Sequence, residues 1–193
     1  TKIPNFGFKI LKFDHMQIPK FKRYVISGAP GSGKTTLINA FKMDEVFCFE
    51  EISRSIIAEA QQSGKAQPFL TDPLLFSNVL LSKRIDQFNH PKQAPFHLYD
   101  RGIHDVIAYL EEINAKYPIE FDEIAQTCVY DKVFLLPPWE EIYTQDAERY
   151  ETFQHAINIH EHLKAVYQKF SMFIVEVPKT SVAQRIEFIK SHF

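Results

Sequence analysis

The chain has 193 residues, a formal net charge of −2, and 45% hydrophobic and 14% aromatic content, which is length for one domain and material for a substantial core. No global basic field argues for nucleic acid as a partner, no apolar run approaches the ~20 residues of a membrane span, and no signal peptide is visible. The two cysteines, Cys48 and Cys128, have neither metal-ligand spacing nor a disulfide framework, so both are expected as core residues of a cytoplasmic protein.

Residues 1–23 alternate Lys2, Lys9, Lys12, Lys20, Lys22 and Arg23 with Phe6, Phe8, Phe13 and Phe21. A basic, aromatic arm suits a peripheral membrane surface or an acidic partner. The preferred reading is an extended arm whose phenylalanines pack on the domain while the lysines stay solvated. The sequence opens on Thr1, with Met16 after His15, so part of the arm is read as left by cloning or processing. Residues 1–21 are given no function, and the domain is taken to run from 22 to 193.

Tyr24-Val25-Ile26 predicts a buried strand, and Gly28-Ala29-Pro30-Gly31-Ser32-Gly33-Lys34-Thr35 follows it. The pattern G-x-x-x-x-G-K-T is a phosphate-binding loop, and Leu37, Ile38 and Phe41 then recur at helical spacing. Glycines let the backbone turn its N–H groups towards an anion, and the helix start adds partial positive charge. Residues Gly28 to Thr35, with Thr36 beside them, are the expected nucleotide-binding set. Lys34 would reach the β- and γ-phosphates, and Thr35 would offer its hydroxyl to Mg²⁺.

Val46 to Phe49 reads as a second, fully buried strand ending in Glu50-Glu51, and Ile52, Ile56, Ile57 and Ala60 mark a helix running to Gly64. Glu51 and Arg54, three residues apart, share the start of that helix. They are candidates for binding a substrate at a strand's carboxyl end, or form an exposed ion pair. Thr71 or Asp72 is expected to cap a helix faced by Leu74, Leu75, Asn78, Leu81, Ile85 and Phe88. Phe96 to Tyr99 is a third strand, terminating in Asp100-Arg101-Gly102. An acid there suits Mg²⁺ positioning or acceptance of a proton from an attacking hydroxyl, and Arg101 would face phosphoryl oxygens.

Val106 to Ile113 and Phe121 to Ala125 read as helices, and Lys132 to Leu136 as the fourth strand, stopped by Pro137-Pro138. Residues 137–150 read as a polar lid. Arg149, the lone Lys or Arg between Lys132 and Lys164, would close over the transferring phosphate or pair with Asp146. A long helix follows from Phe153 to Phe170, whose His155, His160 and His162 lack metal-site spacing and are expected to be solvated or capping. Met172 to Val177 is the fifth strand. The loop around Pro178 is where an adenine ring would pack, and Ser181 would cap a last helix.

These stretches resemble the P-loop small-molecule kinases, a group that includes nucleoside and nucleotide kinases. The likeness is carried by the P-loop, Glu50-Glu51-Ile52-Ser53-Arg54, Tyr99-Asp100-Arg101-Gly102, and Leu136-Pro137-Pro138-Trp139 through Arg149-Tyr150. They are most similar to small AAA-type ATPases related to the ribosylnicotinamide kinase domain. The resemblance implies an α/β three-layer sandwich, with a five-stranded parallel sheet, the P-loop strand central and helices on both faces. It also implies that Asp100 acts near Mg²⁺ and that Glu51 and Arg54 face the phosphoryl acceptor. The chain lacks room for the separate helical lid domain of AAA+ motors, and that reading is set aside.

The expected function is an ATP- and Mg²⁺-dependent phosphotransferase, with GTP as the other candidate donor, acting on a small hydroxyl-bearing, nucleoside-like acceptor. Lys34, Asp100, Arg101 and Arg149 are the expected catalytic residues, Thr35 and Asp100 the metal-facing ones, and Glu51, Arg54 and Asp100 the acceptor-facing ones. The alternative is a nucleotide-dependent switch with slow hydrolysis that uses the arm to hold a partner.

Overall fold

Alternation along the strands decides which layer each side chain joins. The computed structural model describes residues 21–41, 45–62, 71–143 and 152–193. Its strands are β1 (Lys22–Gly28), β2 (Val46–Phe49), β3 (Phe96–Asp100), β4 (Lys132–Leu136) and β5 (Ile174–Glu176). All pair in parallel, in the order β2-β3-β1-β4-β5, which puts the P-loop strand in the centre. Val25, Tyr99, Val133 and Leu135 face one core, whereas Tyr24, Ile26, Leu98, Phe134 and Leu136 face a second. The inner strands β1, β3 and β4 are buried along most of their length and read as continuous apolar runs, whereas the edge strand β2 is only partly buried, not fully buried as the sequence suggested.

Five helices supply the larger core: α2 (Ser53–Gln62), α3 (Pro73–Asn89), α4 (Ile103–Glu112), α5 (Glu120–Thr127) and α6 (Phe153–Lys169). The smaller core is covered by α1 (Lys34–Ala40) and α7 (Val182–Lys190). The result is a three-layer α/β sandwich with helices on both faces. Helix starts follow local chemistry. Asp72, rather than Thr71, caps α3 by accepting from Leu75 N at 2.9 Å, with Pro73 in the first turn. Thr152 caps α6, and Ser181 and Gln184 make reciprocal bonds at the start of α7.

Three further details differ from the sequence expectations. The fifth strand is shorter than Met172–Val177, because Met172 N still bonds Tyr167 O of α6 and Ser171 turns with φ 57°. Cys48 lies on the edge strand β2 and is half-buried, whereas Cys128 is buried. His160 is buried on the inner face of α6 rather than solvated, and His155 pairs with Glu112 at 2.8 Å. Among the described residues no group of side chains could hold a metal by itself, and no helix is long and apolar enough to cross a membrane. The arm up to residue 20 and the lid residues 144–151, including Arg149, lie outside the described residues. The last arm residue, Phe21, packs on His97 with ring centroids 4.5 Å apart.

Asp105 on α4 ties the two sides of the larger core together beneath the P-loop strand. It is buried, accepts from Ser27 Oγ at 2.7 Å and Gly102 N at 2.9 Å, and takes the Tyr167 hydroxyl of α6. A Cβ on Gly102 would stand 2.6 Å from that hydroxyl. The oxygen is anchored to Asp105 and cannot swing aside cheaply. Gly102→Ala should therefore cost about 1–3 kcal/mol of stability by overpacking. Urea unfolding checks this, and an unchanged midpoint would mean that the Tyr167–Asp105 contact yields freely.

Candidate active site

The carboxyl ends of β1, β2 and β3 converge on one cleft, and their sequence neighbours furnish it. After β1 the loop turns through three positive-φ glycines, Gly28 (149°), Gly31 (76°) and Gly33 (85°). A side chain at Gly28 would meet Leu136 O at 2.6 Å, so the loop lies against the end of β4. Gly31 is covered by the Tyr143 ring, whose Cδ2 would be 2.6 Å from a Cβ there. Tyr143 follows a single 3₁₀ turn at Glu140–Ile142, so the segment leaving β4 folds back over the loop. Ala29 and Ser32 are buried, Pro30 is half-buried, and Thr35 and Thr36 are exposed on the first turn of α1.

Lys34 is buried and donates to Gly28 O at 2.6 Å and Ala29 O at 2.8 Å. Burial, with the Arg101 charge added, pushes its ammonium down to about 7. Thr35 Oγ1 has Arg54 Nη2 at 3.5 Å. The P-loop thus holds its lysine folded onto its own carbonyls, next to an open hydroxyl.

Of the two acids that end β2, Glu50 points to solvent and Glu51 faces the cleft. Glu51 receives Arg101 Nε at 3.1 Å, Arg54 Nε at 3.3 Å and Ser53 Oγ at 2.6 Å. Burial opposes its ionisation, but Arg101, Ser53, Lys34 and Arg54 outweigh it and hold the carboxyl down at about 2. The i, i+3 pair of Glu51 and Arg54 therefore forms, and it lines the cleft. Arg54 is largely exposed, with 60% of its side chain accessible.

Asp100 closes β3 and is 6% exposed, with Oδ1 buried and without a hydrogen-bond partner among the described residues. Burial raises its pKa, and the Glu51 charge adds to this against Arg101, Lys34 and Arg84. Arg101 takes the left-handed conformation, φ 68°. Its guanidinium meets Glu51, Gly28 O at 3.4 Å, Asp105 Oδ1 at 3.5 Å and the Tyr109 hydroxyl at 3.1 Å. Arg101 is thus a strut between three strand ends as well as a positive charge in the cleft.

Pro178 lies exposed after β5, its carbonyl accepting from Thr180 N at 3.0 Å. Four residues were missed in the sequence. Buried Arg84 of α3 donates to Arg101 O at 2.6 Å and Asp100 O at 3.1 Å. Asp105 and Tyr109 brace Arg101, and Arg185 of α7 reaches Gly33. Only Asp105 had a local signal, as an acid in the first turn of α4.

Glu51 contributes to stability in a known pH window. Its folded pKa is depressed from 4.5 to about 2, so the contribution is complete above pH 4.5 and is lost as pH falls towards 2. Urea unfolding of Glu51→Gln should show a flatter decline across that window than the parent protein. Parallel declines would mean that the Arg101–Glu51 pair adds nothing to the fold.

Comparison with solved structures places the fold. Deoxyadenosine kinase from M. mycoides with bound dATP superposes with a TM-score of 0.65 at 14% identity, over 88% of this chain and 98% of that one. Thymidylate kinase from Ehrlichia chaffeensis gives 0.61 at 16% identity, over 91% and 100%. Thymidylate kinase from Candida albicans gives 0.63 at 18%, over 90% and 91%. The fold is therefore that of P-loop nucleoside and nucleotide kinases. No curated protein sequence matches the chain. A family model described as AAA domain matches residues 23–185, and by that match over most of its length the chain belongs to the AAA domain family.

Proposed function

We propose that the protein is an ATP- and Mg²⁺-dependent phosphotransferase acting on a small, nucleoside-like hydroxyl acceptor. The observation that carries the reading is Oδ1 of Asp100, buried and without a hydrogen-bond partner among the described residues, set in the same cleft as the P-loop lysine. An unpaired buried carboxylate oxygen is costly unless a ligand completes it. The kinase fold of the deoxyadenosine and thymidylate kinases supports an acceptor of nucleoside character.

Each residue then has a task. Lys34 exchanges its carbonyl contacts for the β- and γ-phosphates, which the backbone of Gly28 to Gly33 surrounds. The Thr35 hydroxyl and Asp100 Oδ1 fit a hydrated divalent cation, and Mg²⁺ bound there would spread the charge of the β- and γ-phosphates. Glu51, ionised at neutral pH, accepts hydrogen bonds from the acceptor, and Arg54 faces the same side of the cleft. Asp100 is a better base than Glu51, because its pKa is raised rather than depressed. It takes the acceptor hydroxyl proton as that oxygen bonds the γ-phosphorus. The β–γ bridging bond breaks with its electron pair on the departing diphosphate, and Lys34 and Arg101 stabilise the charge that grows there. The lid role of Arg149 and the donor-base role of Pro178 remain part of this reading.

Screening nucleosides and nucleotides for acceptor-stimulated ATP consumption tests the proposal, and ATP turnover indifferent to every acceptor would sink it. Asp100→Asn should lower kcat by about 10²–10⁴ with ATP affinity little changed, whereas Lys34→Ala should abolish turnover and ATP binding together.

Proton linkage gives a separate test. A bound triphosphate favours charged Lys34, so its pKa rises from about 7 on binding. Above pH 7 binding should take up a proton, approaching one per site, and affinity should fall as pH rises. Calorimetry at pH 8 in two buffers of different ionisation heat measures this, and zero uptake would mean that Lys34 is already charged in the free protein or lies apart from the phosphates.

A further inference from the structure

Arg185 is an odd residue to bury. It sits on α7, is 5% exposed, and has no carboxylate partner among the described residues. Its Nε is buried without any hydrogen-bond partner, and burial lowers its pKa. A desolvated guanidinium lacking a counter-charge is unfavourable. The surroundings show where that charge is wanted. Nη1 and Nη2 lie 3.1 and 3.5 Å from where a Cβ would stand on Gly33, the residue before the P-loop lysine. The guanidinium carbon lies 5.5 Å from the Trp139 ring centroid, a cation–π distance that steadies it from the other side. The side chain is thus held between Trp139 and the P-loop, offering the loop its N–H edge. Helix α7 is itself fixed by the Ser181–Gln184 capping box.

We propose that Arg185 is a phosphate-binding residue of the nucleotide site, its fork donating to a phosphate of the bound triphosphate while Trp139 holds it in place. The inference rests on the P-loop reading above and adds a further cation, supplied from the helix after β5. Bound phosphate supplies the counter-charge that no described residue provides, so the complex relieves the cost of the buried cation.

The test compares ATP with inorganic tripolyphosphate, by calorimetry on the wild-type chain, R185Q and R185K. R185Q should weaken both ligands about tenfold or more, and R185K, which keeps the charge but loses the fork, by less. Thermal unfolding without ligand should leave R185Q as stable as wild type or more so, because an unpaired buried charge has gone. If R185Q does not fold, the same comparison on R185K and Trp139→Leu decides, with both ligands expected to weaken in each. Unchanged affinity for both ligands, or loss for ATP alone, overturns the proposal, the latter by moving the contact to the base or sugar. A wild-type protein that binds neither ligand overturns the nucleotide reading and this inference with it.

Discussion

The left-handed turn at Arg101 is the constraint on which the cleft depends. A non-glycine residue held at φ 68° carries strain on the order of 1–3 kcal/mol. It persists because the turn is gripped from both ends. Arg84 holds the carbonyls of Asp100 and Arg101 from α3, and the Arg101 guanidinium is engaged by Glu51, Asp105 and Tyr109. Those contacts draw the ends of β2, β3 and β1 to one place. Sheet pairing sets Asp100 opposite Ile26 of β1, and those contacts fix the turn that follows it.

Electrostatics in that cleft works by opposition. Glu51 and Asp100 are close enough that the charge of one raises the pKa of the other. The arginines pair with Glu51 and leave Asp100 Oδ1 without a hydrogen-bond partner among the described residues. Two carboxylates so divided are suited to different tasks, one fixed as an acceptor of hydrogen bonds and the other able to exchange a proton. Lys34 is under similar tension, since burial and Arg101 both disfavour its charge.

What could be read from the sequence was what is local. The P-loop is a contiguous motif, and strands buried on both faces are short apolar runs, so Asp100 and Glu51 could be found as acids ending such runs. A cap at Thr71 or Asp72 was legible because the pair precedes Pro73 and an apolar helix, and folding selects Asp72. Arg84, Tyr109, Tyr167 and Arg185 were not legible, because each stands on a helix face where an arginine or tyrosine is unremarkable until folding sets it against the cleft. Arg84 shares α3 with Lys83, and nothing local says that one is buried and the other is not. His160 and Cys48 failed for the converse reason: burial belongs to the packing of α6 and to the edge position of β2, not to residue type.

Central placement of β1 also bears on how the molecule assembles. Lys22 pairs with Phe96 and Tyr24 with Lys132, so the strand that precedes the P-loop finds both neighbours only in much later parts of the chain. Gly28 then needs the end of β4 beside it. The P-loop precedes both partners in the chain and lacks its full scaffold until residues through Leu136 are in place. Pairings of such sequence separation close slowly. The shape of this loop therefore depends on contacts that no local segment around it can supply.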